Sequence, residues 1–130
     1  MKDILVPVSP GEMLDKITIL EIKSERIGDP EKVANVRHEL DLLTTVWRKA
    51  VTDDSTVGAL KARMKSINEE LWVIEDDIRD QEKAKDFGLR FVELARAVYV
   101  TNDQRAAAKK ELNLYLGSDI VEEKSYQDYQ

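Results

Sequence analysis

The chain has 130 residues, of which 42% are apolar and 35% are charged, a composition typical of one soluble domain with one core. It contains no cysteine, which excludes disulfides and thiolate metal sites. No stretch approaches the roughly 20 apolar residues that span a bilayer, and the apolar run at the start is too short for the apolar region of a signal peptide. We therefore expect a cytoplasmic protein without a membrane partner. Its 26 acidic and 20 basic residues give a net charge of -6, which argues against nucleic acid as a partner.

The first predicted elements are a short extended segment and a helix. Residues 4–8 are rich in β-branched side chains, and such a segment pairs with a second copy or lies along the rest of the chain. Ser9 then marks the start of the first helix, with Pro10 in the first turn and Glu12 placed to complete a capping box. Because apolar residues go more than halfway round this helix, we expect it to be contacted from two sides and to be the most buried.

Two longer helices are predicted on either side of a polar turn at residues 52–56, and Asp29 is the predicted N-cap of the first of them. Each has an apolar seam whose positions are spaced alternately by three and four residues. The two seams are Val33, Val36, Leu40, Leu43, Trp47 and Ala50, and Val57, Leu60, Met64, Ile67, Leu71, Ile74 and Ile78. This heptad spacing predicts two amphipathic helices that pack on each other as an antiparallel hairpin.

The last helical segment, residues 87–116, has an apolar seam at first and then places Thr101 and Arg105 on it. Residues 101–104 also resemble a new capping box, which favours a fourth and a fifth helix over one continuous helix. The acidic residues 118–130 are expected to form a docked or partly disordered tail.

The sequence therefore predicts a single all-α domain over residues 1–130. It consists of an extended N-terminus at 1–8, an antiparallel bundle of four or five helices at 9–117 and the tail at 118–130.

Two phrases of the sequence are distinctive: Val6-Pro7-Val8-Ser9-Pro10-Gly11-Glu12, followed after one residue by Leu14-Asp15-Lys16, and Glu122-Glu123-Lys124-Ser125-Tyr126 in the tail. With them the chain resembles an uncharacterised bacterial family, a domain of unknown function, over nearly its whole length. The resemblance implies a stand-alone helical protein associated with genes for surface-polysaccharide sugar transfer. No established activity or active site comes with the resemblance.

The run from Asp76 to Asp80 matches an aspartate-rich pattern by which helical enzymes acting on prenyl diphosphates hold magnesium. The carboxylates of Asp76 and Asp80 point away from the seam, and Arg79 can neutralise them. We therefore favour a solvated acidic face over a metal site at these two residues. The single histidine, His38, is predicted on an outer face. We therefore expect no transition-metal site, no cofactor and no triad chemistry.

Apolar residues off the seam indicate a second contact. Trp72 and Val73 on the third predicted helix are of this kind, as are Leu42 and Val46 on the second. Either the first and last helices pack there or a second subunit does. We expect a homodimer with Trp47, Trp72 and Val73 as interface candidates.

Arg105 is the clearest polar exception on a seam, and a buried arginine needs an anion. If the last segment is split, two helix N-termini lie at the same end of the bundle, where free amides favour an anion. The candidates for anion binding there are Ser9, Lys16, Asn102, Arg105 and Lys109.

A simpler interpretation, which we prefer, pairs Arg105 within the chain. Its predicted partners are Asp15, Glu12 or Glu122.

No enzyme motif has the required spacing, so no catalytic residue is assigned. The preferred function is a non-catalytic binding or accessory module for a partner protein or an anionic metabolite. The alternative is a small all-α enzyme acting on a phosphorylated or carboxylated small molecule. A polar pocket with converging ionisable groups is typical of the enzyme, and an exposed apolar patch or groove is typical of the module.

Overall fold

The computed structural model describes all 130 residues and contains four α-helices and no β-strand. They are α1 (Pro10–Arg26), α2 (Pro30–Ala50), α3 (Ser55–Lys83) and α4 (Leu89–Leu116). Residues 1–9 form neither helix nor strand, and beyond α4 the chain continues as an irregular tail. The all-α class is confirmed. None of the helices combines the length and the apolarity needed to cross a membrane.

The helices begin where side chains satisfy the free N–H groups of the first turn. Ser9 Oγ accepts from the N–H of Glu12 at 3.1 Å, and Asp29 Oδ1 accepts from the N–H of Glu31 at 3.0 Å. Both predicted N-caps are therefore confirmed. At the other end of the chain, α4 stops at Gly117, whose φ of 68° is a left-handed conformation that favours glycine.

α1 is the central helix because it packs against each of the other three, whereas α2 lies alongside α1 only and reaches the shared core through Trp47 near its carboxyl end. Lys61 of α3 meets Glu21 of α1, and Lys65, one turn later, meets Glu25, so α1 and α3 run in the same direction. α2 and α4 run in the opposite direction. The prediction that the first helix is contacted from more than one side is correct.

The predicted hairpin between α2 and α3 is wrong, because these two helices do not pack along their length. The partner of α3 is α4: ion pairs join them from Arg63–Glu111 near one end to Asp77–Arg90, at 3.5 Å, near the other. The reason is that α1 is apolar on two sides and inserts between the seams of α2 and α3.

The apolar core lies where α1, α3 and α4 meet the carboxyl end of α2. Its two clusters consist of Leu14, Ile17, Trp47, Val57, Leu60 and Leu112, and of Met64, Ile67, Leu71 and Ala108. On α3, every predicted seam residue except Ile78 is buried, whereas Trp47 is the only buried residue of α2.

α4 is one continuous helix, so the predicted break at residues 101–104 is wrong. Thr101 is 3% exposed and lies on the packed face of the helix. Asn and Asp inside a helix each cost about 0.7 kcal/mol or less relative to alanine. Packing of α4 against α3 and α1 outweighs that cost.

α3 and α4, with 29 and 28 residues, extend well beyond α1, which has 17. At 1.5 Å per residue this is a difference of about 18 Å between α3 and α1. The far end of the molecule is therefore a two-helix hairpin, and it exposes Phe87, Leu89 and Val92.

Candidate ligand-binding site

A set of buried polar side chains, here called the polar junction, lies where α1, α3 and α4 meet and consists of Asp15, Thr18, Asn68 and Lys109. Asn68 Nδ2 donates to Asp15 Oδ1 at 2.9 Å and to Thr18 Oγ1 at 3.0 Å. Lys109 Nζ lies 3.8 Å from Asp15 Oδ2. Because each polar group has a partner inside the chain, the polar junction joins three helices and is not an open site.

Lys109 is the charged centre of the polar junction. Its Nζ donates to Glu12 Oε2 at 2.6 Å and lies 3.0 Å from Glu122 Oε2 of the tail. Burial alone lowers the pKa of Lys109, but the hydrogen bonds with these two carboxylates, and the nearby Asp15, outweigh burial and raise it. The hydrogen bond from Lys109 in turn lowers the pKa of Glu122. Lys109 is therefore positively charged at neutral pH and links the tail to α1.

Gly11 marks the closest approach of α1 to α4. Its N–H donates to Asn113 Oδ1 at 2.7 Å, and a Cβ at this position would lie 2.6 Å from the carbonyl oxygen of Lys109. Only glycine fits such a distance. With Ser9 and Asn113 accepting from the first turn of α1, no N–H there is free for an external anion.

Next to the polar junction, a cleft of about 370 Å³ opens between α1, α3 and α4. We call it the Arg105 cleft. Its lining consists of Ile19, Lys23, Asn68, Leu71, Trp72, Glu75, Asp76, Arg79, Asn102 and Arg105.

The Arg105 cleft is locally cationic. Three cations, Lys23, Arg79 and Arg105, and two carboxylates, Glu75 and Asp76, give a local charge of +1 in a chain whose net charge is -6. Arg79 pairs with Glu75 at 3.1 Å on the same helix. Arg105 is half-buried and forms no ion pair within the chain, so its guanidinium is available to a ligand.

A second cavity, of about 750 Å³, lies between α4 and the tail. We call it the tail cavity. The ring of Tyr129 meets that of Tyr99 edge to face, with centroids 5.0 Å apart, and its hydroxyl donates to Asp103 Oδ2 at 2.7 Å. The tail cavity shares Asn102 and Arg105 with the Arg105 cleft.

The five predicted anion-binding residues do not converge. Asn102 and Arg105 line both cavities, but Ser9 and Lys109 are buried in contacts of their own. Lys16 pairs with Glu39 of α2 at 3.1 Å. The predicted meeting of two helix N-termini fails because α4 has no break, and so Asn102 opens no helix.

The predicted pairing of Arg105 is wrong by one helical turn. The three carboxylates expected around Arg105 surround Lys109 instead, with Nζ distances of 2.6, 3.8 and 3.0 Å to Glu12, Asp15 and Glu122. Because α4 is continuous, Lys109 and not Arg105 faces these carboxylates. The capping box is also half formed, because Glu12 accepts from Lys109.

Asp76 lines the Arg105 cleft, while Asp80 is exposed outside it. The chain contains no group of three His, Cys, Asp or Glu side chains arranged to hold a metal ion.

The three interface candidates differ in exposure. Trp47 is buried in the core of its own chain, and its Nε1 donates to Asp53 Oδ1 at 3.2 Å, so its indole is not available to a second copy. Trp72 is half-buried and lines the Arg105 cleft, and Val73 is exposed.

Sequence reasoning missed Asn68 and Lys23 as members of a site. A signal was present on α3: Asn68, Trp72, Glu75 and Arg79 follow one another at steps of four, three and four residues. They form a second stripe one residue beyond the apolar seam. Such a stripe faces a neighbour or a cleft when the helix is packed on two sides.

One protein-family model, described as a family of unknown function (DUF6165), matches residues 4–129, which is nearly the whole chain. Neither a curated protein nor a solved structure matches the sequence. The resemblance to a domain of unknown function is thereby confirmed. The chain belongs to the DUF6165 family, whose function is unknown.

Proposed function

We propose that the protein binds a small anionic metabolite in the Arg105 cleft. The observation that carries this proposal is the convergence of side chains from three helices, Lys23, Trp72 and Arg105 among them, on one cleft with a local charge of +1 in an acidic chain. Its volume of about 370 Å³ lies within the usual range of small-molecule sites.

The lining of the Arg105 cleft supports a phosphorylated, hydroxyl-rich ligand. A guanidinium such as that of Arg105 binds phosphate or carboxylate through two parallel hydrogen bonds. The amide of Asn102 and the carboxylate of Asp76 can bond hydroxyl groups, while Trp72 offers an apolar face. A sugar phosphate combines these features, and the resemblance to proteins associated with sugar transfer supports the same class.

Phosphate binding can be tested by thermal shift with inorganic phosphate, glucose 1-phosphate and citrate. We expect at least one of these anions to raise the Tm of the wild type and of Arg96→Met, but not that of Arg105→Met. Arg96 is the matched control because it lies on the same helix, is exposed and lines neither cavity. Equal stabilisation of Arg105→Met, or none in the wild type, contradicts the proposal.

The alternative is a small enzyme that uses the same cleft, with Glu75 and Asp76 as acid and base. The observation in its favour is that ionisable groups converge in a polar pocket. Glu75 is, however, paired with Arg79, which favours binding over catalysis. Turnover of a bound sugar phosphate, followed by phosphorus NMR and lost in Asp76→Asn, decides for the enzyme.

We further propose a cytoplasmic homodimer. Exposed Val73 on α3 and exposed Leu42 and Val46 on α2 supply apolar surface for a second copy or for a partner protein. Light scattering should return twice the chain mass of 14.9 kDa, and the mass of a single chain contradicts the dimer.

A further inference from the structure

We infer that the anionic metabolite is a nucleoside phosphate, with its phosphate at Arg105 and its base in the tail cavity. The inference rests on the proposed function and names the class of ligand. It starts from the fact that the Arg105 cleft and the tail cavity share Asn102 and Arg105. A ligand with its phosphate at Arg105 lies at the border of the two cavities, so the rest of the ligand can occupy the tail cavity.

The tail cavity is lined by three of the four tyrosines in the chain, Tyr99, Tyr126 and Tyr129. The rings of Tyr99 and Tyr129 contact each other edge to face, with their centroids 5.0 Å apart. Tyr126 is 79% exposed and has no aromatic partner in the chain, so a face of its ring is free. A flat heterocycle stacks on such a face whichever base it is.

The tail cavity is lined by two carboxylates, which accept hydrogen bonds within the chain, and by two cations, which form no ion pair. Asp103 accepts from the Tyr129 hydroxyl at 2.7 Å, and Asp128 Oδ1 accepts from the N–H of Gln130 at 2.9 Å. Arg105 and Lys124 form no ion pair within the chain. A phosphate between the two cavities can therefore accept hydrogen bonds from two cations that have no carboxylate partner.

Size and shape favour a nucleoside phosphate over a sugar phosphate alone. A sugar phosphate of modest size occupies the Arg105 cleft and makes no use of the tyrosines. A nucleoside phosphate adds one flat base, which the ribose joins to the phosphate, and the tail cavity of about 750 Å³ has room for it.

Calorimetric titration of the full chain with AMP, UMP and ribose 5-phosphate tests the inference. We expect the nucleotides to bind about tenfold more tightly than ribose 5-phosphate, as one stacked base predicts. Tyr126→Ala should remove this tenfold advantage and leave the affinity for ribose 5-phosphate unchanged. Tyr115→Ala, on an exposed tyrosine that lines neither cavity, is the control and should keep the advantage.

The outcomes separate the two proposals. If AMP, UMP and ribose 5-phosphate bind equally, or if Tyr126→Ala keeps the full nucleotide advantage, the inference is wrong and the proposed function stands. If none of the three binds, the inference is wrong, and the thermal shifts with inorganic phosphate, glucose 1-phosphate and citrate decide on the proposed function. Arg105→Met should weaken all three ligands, because the phosphate contact is common to them.

Discussion

α2 and α3 have apolar seams of the same spacing, but the two seams are buried to different extents. All but one of the seam residues of α3 are buried, whereas α2 buries Trp47 alone. α3 lies alongside both α1 and α4, while α2 lies alongside α1 only. The spacing of apolar residues thus predicts a helix and its inward face. How deeply that face is buried depends on the number of neighbours, which the topology decides.

The largest difference in stability between α2 and α3 is expected at the two tryptophans. Trp47→Ala should lower the free energy of unfolding by about 3 to 5 kcal/mol, because it empties the one buried position of α2. Trp72→Ala on α3 should cost only about 1 kcal/mol, because this side chain is half-buried at a cleft. Urea unfolding measures both, and equal losses contradict the comparison.

The next largest difference in stability is expected between one leucine from each seam. Leu60→Ala on α3 removes a side chain that is 6% exposed, and about 2 to 5 kcal/mol of stability should be lost. Leu40→Ala on α2 removes a half-buried one and should cost about 1 kcal/mol. If the two denaturation midpoints shift alike, α2 is packed as fully as α3.

A smaller change in stability is expected at the contact between α1 and α4, which completes the packing of α1, α3 and α4 on one another. Gly11→Ala forces a Cβ to within 2.6 Å of the Lys109 carbonyl oxygen and should cost about 1 to 3 kcal/mol. Gly58→Ala is the matched control: nothing lies within 4 Å of its Cβ, so the same substitution should raise stability by about 0.5 to 1 kcal/mol. Thermal melts of the two variants should shift in opposite directions.

The smallest effect concerns the tail, which Lys109 ties to the core through Glu122. Since the folded state lowers the pKa of Glu122, its contribution is present above the ordinary pKa of 4.5 and is lost as the pH falls through the lowered value. The pair is partly exposed, so we expect less than about 1 kcal/mol. Amide NMR of residues 118–130 should show the tail released by acid.

Glu122→Gln should release the tail already at neutral pH. Glu123→Gln should not, because Glu123 is exposed and forms no ion pair. A tail that stays docked in Glu122→Gln shows that other contacts hold it.

Local chemistry made much of the fold predictable. Ser9 and Asp29 were identifiable as caps because a cap is recognised from its own side chain and the next three residues. The seam of α3 was identifiable because its spacing repeats over seven positions. The α2–α3 hairpin was predicted wrongly because spacing carries no information about which helix covers a face.

The candidate site was less predictable because it depends on the register of α4. Residues 101–104 have the local preferences of a helix start, and only the packing of Thr101 against other helices overrides them. Once the break is removed, Lys109 takes the carboxylates expected at Arg105. Asn102 and Arg105 line one cleft in the structure, and Arg105 is visible in the sequence because it is a cation on a largely apolar seam.

The attachment of α2 to a single neighbour has a consequence for how the molecule opens. Local unfolding requires only the free energy of the contacts that are broken, and α2 breaks one helix interface where α3 breaks two. We expect the amides of residues 33–44 to exchange with solvent through a partial opening that leaves the other three helices folded. Such an opening exposes the apolar face of α1 beneath α2, and we therefore expect two cooperative units of unequal stability.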